Sequence, residues 1–398
     1  MIKNHIDLTS ETANQVIFDA ANKILETSYT INAIYELETK YSTDRGALSY
    51  NVAIKIAKSK YLIERITQKV TVTVVFALYK EQNRIQDKSI HPNGENFIKN
   101  KIRQLNWLFE NVKDLVKWKM ILVDDGCPNN SGRIAQEIIK KHFSHYDIEV
   151  LFLQNAIDRK LPTAKYLSNT DESQKGGAIL YGMWKAAQDN HNKNHIIIYT
   201  DADLSIHLSQ IGLLIYDIVK CGVKVAIGSK REKYSILMKS PGRNLRGMFF
   251  ISLWKQLIPD IAYLNDTQCP LKAYRADLVY EIIEGIDESK FAFDIELLLK
   301  AHLHERGENK QVIKSEAIAV IDNEAESTTI ALNPYLGMLK SVVKMYRRYL
   351  PPKKKSDTIA DFINALSEKE WNILLEKIPK ENIGKNVNDF KFDFLNTK

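Results

Sequence analysis

The spacing of apolar residues changes twice along the chain and divides it into three parts. Residues 1–69 place apolar side chains at helical intervals, with Glu and Lys between them, and contain no strong strand candidate. Residues 70–330 alternate short β-branched runs with amphipathic stretches, and residues 331–398 again lack strand signals. We therefore predict a helical N-terminal extension, an α/β domain and a helical C-terminal segment.

The β-branched runs of the middle part predict a mostly parallel sheet. Each run ends in polar or glycine-rich residues, and helix-like stretches separate consecutive runs. Strands that alternate with helices favour a parallel sheet with helices on both faces, because each crossover must lie on one face. The runs are VTVTVVFAL from residue 70, WKMILVDDG from 118, IEVLFLQN from 148, HIIIYTDAD from 195 and VKVAIGSK from 223.

Composition narrows the class of protein. With 398 residues, 44% of them hydrophobic, the chain can bury a sizeable core. The 3 cysteines are widely spaced and form no C-x-x-C pair, which argues against a disulfide framework or a structural zinc site and favours a reducing, cytoplasmic setting. A net charge of +7 is too diffuse to indicate a nucleic-acid partner, although it favours anionic substrates or an anionic lipid surface.

No stretch of the sequence looks able to cross a membrane. Spanning a bilayer takes about 20 apolar residues, and no run approaches that length. The N-terminal residues MIKNHIDLTSETANQ also lack the apolar core of a signal peptide. We expect a soluble or peripheral protein.

Two aspartates follow the buried-looking run HIIIYT. Asp201 and Asp203 are separated by one alanine, and two like charges held close together need a positive group beside them. A divalent cation with phosphate oxygens on its far side is one candidate. A polar turn, with Asp203 capping a helix that starts near Leu208, is the alternative.

Polar residues follow three of the predicted strands at equivalent positions. Ligands of parallel sheets bind outside the carboxyl ends of the strands, where the loops converge. The acidic and aromatic residues of these loops could therefore line one crevice: Tyr79, Glu81, Asp124, Asp125, Asp201 and Asp203.

A glycine pair marks the predicted start of another helix, where Lys175 precedes Gly176 and Gly177. Backbone N–H groups at a helix start, with no side chain in the way and a lysine beside them, suit a phosphate or another anion. A glycine-rich helix entry with a surface lysine is the alternative.

Seven motifs occur in a fixed order over residues 70 to about 325. They read L-Y-K-E, V-D-D-G, K-G-G-A, D-A-D-L-S, G-S-K-R, D-T-Q-C-x-x-K and F-x-F-D-I-E-L. In this order the chain resembles the GT-A family 2 glycosyltransferases, and most of all the branch of dolichyl-phosphate and polyprenyl-phosphate glucosyl- and mannosyltransferases. The resemblance implies a Rossmann-like GT-A fold and inverting transfer of a hexose from a nucleotide-diphosphate sugar, in the first instance a UDP-sugar.

The resemblance also implies a donor site. Asp203 matches the direct ligand of Mg2+ or Mn2+, and Asp201 matches the aspartate shared between the ribose and the metal shell. Asp125 matches the residue that accepts from a ring N–H of the base, and Arg231 matches a basic position near the phosphates, with a solvated loop arginine as its alternative. The positions matching the nucleotide-sugar site are Ala77, Tyr79, Glu81, Asp125, Lys175, Gly176, Asp201 and Arg231.

On the acceptor side, Asp294 in FAFDIELLLKA takes the place of the family's aspartate at the start of a helix. Flanking phenylalanines would place it in a partly apolar pocket, which suits a general base. A carboxylate that merely favours the helix N-terminus is the alternative, and a phosphate acceptor would need Asp294 only for orientation. Asp266 in DTQCPLK is the second candidate catalytic residue, with Gln268 beside it.

Several positions depart from the family pattern. The first motif, usually P-x-Y-N-E, reads ALYKE from Ala77 to Glu81, and D-T-Q-C-G-F-K has become DTQCPLK. The lipid-phosphate enzymes usually carry transmembrane helices, and none is evident here. The acceptor therefore stays open between a lipid phosphate, a glycan and a peptide. Alternative functions are a nucleotidyltransferase, which should show a glycine-rich first loop that LYKEQN lacks, and a degenerate, non-catalytic nucleotide-sugar-binding protein.

The C-terminal segment GMLKSVVKMYRRYLPPKKK predicts an amphipathic helix with a basic end. Such a helix could lie in a membrane interface and bring a cytoplasmic enzyme to the inner face of the membrane. Packing of its apolar face on the catalytic domain is the alternative.

Overall fold

The computed structural model describes residues 7–238, 241–305, 311–321 and 335–382, together with residues 389, 390 and 392. The strands are β1 Val70–Leu78, β2 Val116–Asp124, β3 Ile148–Phe152, β4 His195–Asp201, β5 Val225–Ser229, β6 Ile236–Met238, β7 Leu271–Arg275, β8 Ile313–Ala317 and β9 Ala319–Ile321. The helices are α1 Glu11–Thr27, α2 Ile31–Tyr41, α3 Leu48–Ile63, α4 Gln82–Ile85, α5 Phe97–Phe109, α6 Ser131–His142, α7 Leu153–Asp158, α8 Gly176–Asp189, α9 Ile211–Tyr216, α10 Pro241–Leu257, α11 Ala276–Ile282, α12 Phe293–His304, α13 Tyr335–Tyr349, α14 Lys354–Ala365 and α15 Glu368–Lys377.

The main sheet has 7 strands in the order β3-β2-β1-β4-β7-β5-β8. All its neighbours are parallel except β7, which runs antiparallel between β4 and β5. Because β7 is reversed, the loop that precedes Leu271 lies at the edge where β4 ends, and Leu271 pairs with Thr200. The predicted α/β class, a mostly parallel sheet, is confirmed.

Alternation of side chains along the central strand β1 supplies two cores. Val75 faces the layer formed by α8 and α10–α14, whereas Val74 and Phe76 face the layer formed by α5, α6 and α9. Buried parallel strands present apolar residues to both faces, as the continuous run VTVTVVFAL indicates. Helices therefore cover both faces, as predicted.

The N-terminal helices α1–α3 form a third core with residues that follow β4 and residues of the small sheet. Their apolar faces pack with Leu204, in the loop after β4, and with Ile236 and Ala319 of the small sheet β6-β9. Ser10 and Thr30 cap α1 and α2 by accepting from backbone N–H groups. The predicted domain boundary near residue 69 stays a prediction. Through Leu204, the helices α1–α3 contact the loop that carries Asp203.

The apolar face of the C-terminal helix α13 is covered by the protein's own fold. Leu339, Val342 and Tyr346 are buried, and α13 packs between α10 and α14. The peripheral membrane contact predicted from this helix is therefore not supported, because the face that would enter the lipid is already used. Across the described ranges, no helix combines the length and apolarity that a bilayer crossing requires.

Candidate active site

The loop after β1 places two of the predicted residues at the carboxyl edge of the sheet. Tyr79 is 40% exposed there, and Ala77 pairs with Asp201 across the β1–β4 ladder. The carboxylate of Glu81 lies 2.9 Å from Nη1 of Arg84. Burial nevertheless raises the pKa of Glu81 to about 7, although Arg84 opposes the shift. Glu81 is thus partnered by a residue that the sequence did not single out.

Adjacent aspartates at the end of β2 have different surroundings. Asp124 accepts from the backbone N–H groups of Cys127 at 2.9 Å and Gly132 at 2.7 Å, so it fixes the start of α6. Asp125 accepts through Oδ2 from the N–H of Lys175 at 2.7 Å. Its Oδ1 is buried and lacks a well-aligned hydrogen bond among the described residues, although the side chain of Ser173 lies near enough to lower the pKa of the carboxyl. Such an oxygen suits a donor supplied by a ligand, and burial raises the pKa of this carboxyl to about 6.

Lys175 precedes α8 in a left-handed conformation, with φ 78°. Its ammonium group pairs with Asp201. The glycines that follow serve packing: a Cβ on Gly176 would lie 2.6 Å from the carbonyl oxygen of Ser289, to which Gly177 N–H donates at 2.9 Å. The N–H of Gly177 is therefore not free to bind an anion, and the predicted contact of Lys175 and Gly176 with a phosphate stays a prediction.

The D-x-D pair lies at the end of β4, with Asp201 as the last residue of the strand and Asp203 in the loop that follows. Asp203 accepts from the N–H and Oγ of Ser205, at 3.0 and 2.6 Å. It does not cap the helical turn at Leu208, which has His207 at its N-cap, so the capping alternative was wrong. Burial and the neighbouring Asp201 raise the pKa of Asp203, which shows that its negative charge is only partly compensated.

A buried lysine behind this pair was missed by sequence reasoning. Lys101 on α5 is 0% exposed, and its Nζ donates to the carbonyl oxygen of Ile206 at 3.2 Å. Burial lowers the pKa of Lys101 to about 8, although Asp203 and Glu95 oppose the shift. The amphipathic pattern of α5 gave no signal that this lysine faces the interior.

The two aspartates can supply only part of a metal shell. In the portion of the chain described, no three His, Cys, Asp or Glu side chains are grouped so that they could hold a metal ion. Mg2+ and Mn2+ accept few protein carboxylates when phosphate oxygens and water complete the shell. Asp201 and Asp203, with their carboxylate oxygens and a charge that Lys175 and Lys101 compensate only in part, fit a cation that arrives together with a diphosphate.

Asp294 lies in the first turn of α12, as predicted, but its pocket is not simply apolar. Lys272 Nζ lies 2.7 Å from Oδ1 of Asp294, and the hydroxyl of Tyr199 donates to the same oxygen. The prediction that flanking phenylalanines set this environment was wrong, because a buried cation is in contact with the carboxylate. Asp201 and Asp294 both act to raise the pKa of Lys175, against its burial, which places Asp294 beside the donor residues.

Asp266 serves as an anchor for the loop after β5. Its Oδ2 accepts from the N–H of Lys230 at 3.0 Å and lies 3.4 Å from the same residue's Nζ. Although burial opposes it, Lys230 and Arg231 lower the pKa of Asp266. Such a carboxylate is a poor proton acceptor, and the catalytic role of Asp266 stays a prediction. Nε of Arg231 is buried without a partner among the described residues.

Comparison with known proteins identifies a relative. No protein-family model matches the sequence. The chain is 24% identical over 249 residues to the dolichyl-phosphate beta-glucosyltransferase of Saccharomyces cerevisiae, and the match covers 59% of this chain and 66% of the yeast protein. The chain therefore spans slightly less than two thirds of the length of this curated relative.

Solved structures resemble the chain more weakly. Glucosyl-3-phosphoglycerate synthase from Mycobacterium tuberculosis, in complex with Mn2+, UDP and glucosyl-3-phosphoglycerate, has a TM-score of 0.46 at 15% identity, covering 75% of this chain and 85% of its own. A mannosyltransferase from Pyrobaculum calidifontis, in complex with GDP-Man and Mn2+, has a TM-score of 0.40 at 12% identity, covering 87% and 91%. At these scores the structural likeness decides nothing by itself. The yeast relative, however, confirms the resemblance to the GT-A family 2 glycosyltransferases that the ordered motifs indicate.

Proposed function

We propose that the protein is an inverting, metal-dependent glycosyltransferase that moves a hexose from a nucleotide-diphosphate sugar, in the first instance a UDP-sugar, to an acceptor oxygen. The observation that carries this proposal is the linkage made by Lys175. Its backbone N–H binds Asp125 and its ammonium group binds Asp201, so the candidate base-binding and metal-binding aspartates belong to one site. The similarity to the yeast glucosyltransferase supports the same class of reaction.

Three residues of this site are placed to bind the nucleotide-sugar donor. Oδ1 of Asp125 is buried without a well-aligned hydrogen bond among the described residues, with only the side chain of Ser173 near the carboxyl, so a ring N–H of uracil would satisfy it. Tyr79 is sufficiently exposed to lie against the base, and the ammonium group of Lys175 is close enough to Asp201 to reach a diphosphate bound there.

The metal belongs to the same proposal. Asp201 and Asp203 would bind Mg2+ or Mn2+, which would stabilise the negative charge on the departing diphosphate when bound. Lys175 and Arg231 supply further positive charge near the phosphates, and Arg231 has an Nε that no described residue satisfies.

The transfer itself is a substitution at the anomeric carbon. The acceptor oxygen forms a bond to that carbon from the face opposite the nucleotide, while the bond to the diphosphate oxygen breaks and its electron pair leaves with the nucleotide. A hydroxyl acceptor would give its proton to Asp294, whereas an ionised phosphate would need no base. The name of the yeast relative supports a lipid phosphate as the acceptor to test first, ahead of glycans and peptides.

A ligand panel followed by a transfer assay tests the proposal. Thermal unfolding is measured with UDP-, GDP- and dTDP-sugars, each with and without Mn2+, because a ligand that binds the folded state raises its melting temperature. We expect a uridine nucleotide with Mn2+ to give the largest shift, and the same sugar to appear on a polyprenyl phosphate. If no nucleotide shifts the transition under any metal condition, the proposal is wrong. Binding without transfer or hydrolysis would indicate a non-catalytic binding protein.

A further inference from the structure

A fully buried lysine contacts the candidate acceptor-side carboxylate. Lys272 is 0% exposed, and its Nζ lies 2.6 Å from the carbonyl oxygen of Cys269 and 2.7 Å from Oδ1 of Asp294. Burying an ammonium group is costly unless an anion and hydrogen-bond acceptors surround it. Asp294 and Cys269 supply both.

The reversed strand β7 explains how this lysine reaches the site. Lys272 is the cross-strand partner of Tyr199 in the antiparallel β4–β7 ladder, so both side chains project from the same face of the sheet. The Nζ of Lys272 lies 5.3 Å from the ring centre of Tyr199. The hydroxyl of Tyr199 also donates to Oδ1 of Asp294. Two neighbouring strands thus direct two donors at one oxygen.

The second oxygen of Asp294 is left available. Among the described residues, no donor is bonded to Oδ2, and this atom does not belong to the buried, unpartnered set. A carboxylate with one oxygen fixed by two donors cannot rotate freely, so the direction of its other oxygen is determined. Asp294 keeps 6% of its surface exposed, so the residue is not closed off from a bound molecule.

We propose that Lys272 and Tyr199 are positioning residues that fix Oδ1 of Asp294 and so direct Oδ2 at the acceptor oxygen. The inference rests on the proposed glycosyltransferase function and deepens it. It assigns the alignment of the acceptor to Lys272 and Tyr199, to which the family resemblance gave no role. Misplacement of a reacting group by about 1 Å can cost about 100-fold in rate, so loss of this alignment should be visible in turnover.

A double-mutant cycle tests the proposal on the full-length chain. Lys272→Met, Asp294→Asn and the double variant are assayed for transfer, and affinity for the nucleotide sugar is measured in parallel. We expect Lys272→Met to lower turnover about 10- to 100-fold while donor affinity stays unchanged. In the Asp294→Asn background the same substitution should cost less than about threefold, because its partner is already lost. Tyr199→Phe, which removes only the hydroxyl, should show the same non-additivity with a smaller loss.

Lys314→Met is the matched control, since Lys314 on β8 forms an ion pair at 2.5 Å with the buried carboxylate of Asp217. Like Lys272→Met it leaves a buried carboxylate without its cation, but neither residue contacts Asp294, so turnover should stay within about twofold of that of the original chain. Multiplicative losses from Lys272→Met and Asp294→Asn would overturn the positioning role and leave Lys272 a structural residue.

Thermal unfolding of the same variants separates this inference from the proposed function. It needs no substrate, and the double variant should recover part of the stability that Lys272→Met loses, because Lys272→Met alone leaves a buried carboxylate without its cation. If the double variant regains stability while the original chain shows no transfer, the glycosyltransferase function is rejected and, with it, the acceptor alignment. If the original chain transfers the sugar but the losses in turnover from Lys272→Met and Asp294→Asn multiply, only the alignment is rejected.

Discussion

The backbone N–H of Lys175 donates to Oδ2 of Asp125 at 2.7 Å, and the side chain of the same lysine pairs with Asp201. One residue therefore connects the end of β2 to the end of β4, across the strand β1 that separates them in the sheet. Its backbone has a positive φ of 78°, and its N–H and its ammonium group contact two different aspartates. The donor site depends on this connection more than on any single aspartate.

Replacing Lys175 with methionine should therefore impair catalysis strongly. The variant keeps the backbone N–H that binds Asp125 but removes the cation beside Asp201, so we expect transfer to fall about 100-fold or more. Steady-state turnover at saturating donor measures the effect. Lys185→Met is the control, because Lys185 lies on the same helix α8 and pairs with Asp189, 2.5 Å away, on the surface. Equal losses in the two variants would contradict a specific role for Lys175.

Asp203→Asn should abolish transfer without weakening the fold. Burial and Asp201 raise the pKa of Asp203, so its ionised form costs stability at any pH above its ordinary value. An amide can still accept from the N–H of Ser205 but cannot supply the charge that a hard divalent cation needs. We expect the melting temperature at pH 7.5 to equal or exceed that of the original chain, with the difference shrinking near pH 4. Near-normal turnover at low Mn2+ would reject the D-x-D assignment.

Affinity for UDP-glucose should depend on pH through Asp125. Burial raises the pKa of this carboxyl to about 6, and its ionised form accepts from a ring N–H more strongly than its protonated form does. Dissociation constants from calorimetry should therefore increase below about pH 6, by at most about tenfold for each pH unit, and become constant above about pH 7. UDP-glucose is the right probe because its phosphates are diesters and do not titrate in this range.

Three variants assign that pH dependence. Asp125→Asn should bind weakly and lose the dependence, whereas Asp203→Asn should retain it. Glu81→Gln is needed as well, because the pKa of Glu81 is raised to about 7 by burial. If the dependence persists in Asp125→Asn and disappears in Glu81→Gln, the base contact belongs to a different residue.

Sequence reasoning predicted those parts of the fold whose burial can be recognised from neighbouring residues in the sequence. The run VTVTVVFAL coincides with β1, because every residue of a central parallel strand faces apolar neighbours. Strand β7 was missed, since LKAYR contains two basic residues and looks exposed. Lys272 is buried there only because Asp294, 22 positions later, lies against it. A partner so distant leaves no trace in the local pattern.

The site shows the same division. Asp125, Asp201 and Asp203 were predicted to lie together because strand ends converge, and Lys175 connects Asp125 with Asp201. Lys101 was not foreseen, since its hydrogen bond to Ile206 joins residues 105 positions apart. The surroundings of Asp294 could not be inferred either, because the direction of β7 determines them.

Helix α5 holds the loop after Asp203 in place through Gln104. Gln104 is buried, accepts from Leu208 N–H through Oε1 at 2.8 Å, and accepts from Ser209 Oγ through its carbonyl, also at 2.8 Å. Gln104→Leu leaves the buried N–H of Leu208 without an acceptor, which should cost about 1–3 kcal/mol and lower turnover through the loop. Chemical denaturation measures the first effect and transfer assays the second. Gln154→Leu removes an exposed contact to Asp158 and should change neither, so a similar loss there would contradict the loop argument.

The C-terminal helix α13 should behave as part of the core. Leu339 is 0% exposed and packs in the layer that also contains α10 and α14, so Leu339→Ala should lower the free energy of unfolding by about 2–5 kcal/mol. Urea denaturation of the full chain measures this change. The control replaces Lys353, Lys354 and Lys355 with glutamine; all three side chains are exposed, and the substitution should change stability by less than about 0.5 kcal/mol. If Leu339→Ala leaves the free energy of unfolding unchanged, the apolar face of α13 is not buried in solution, and its packing on α10 and α14 is wrong.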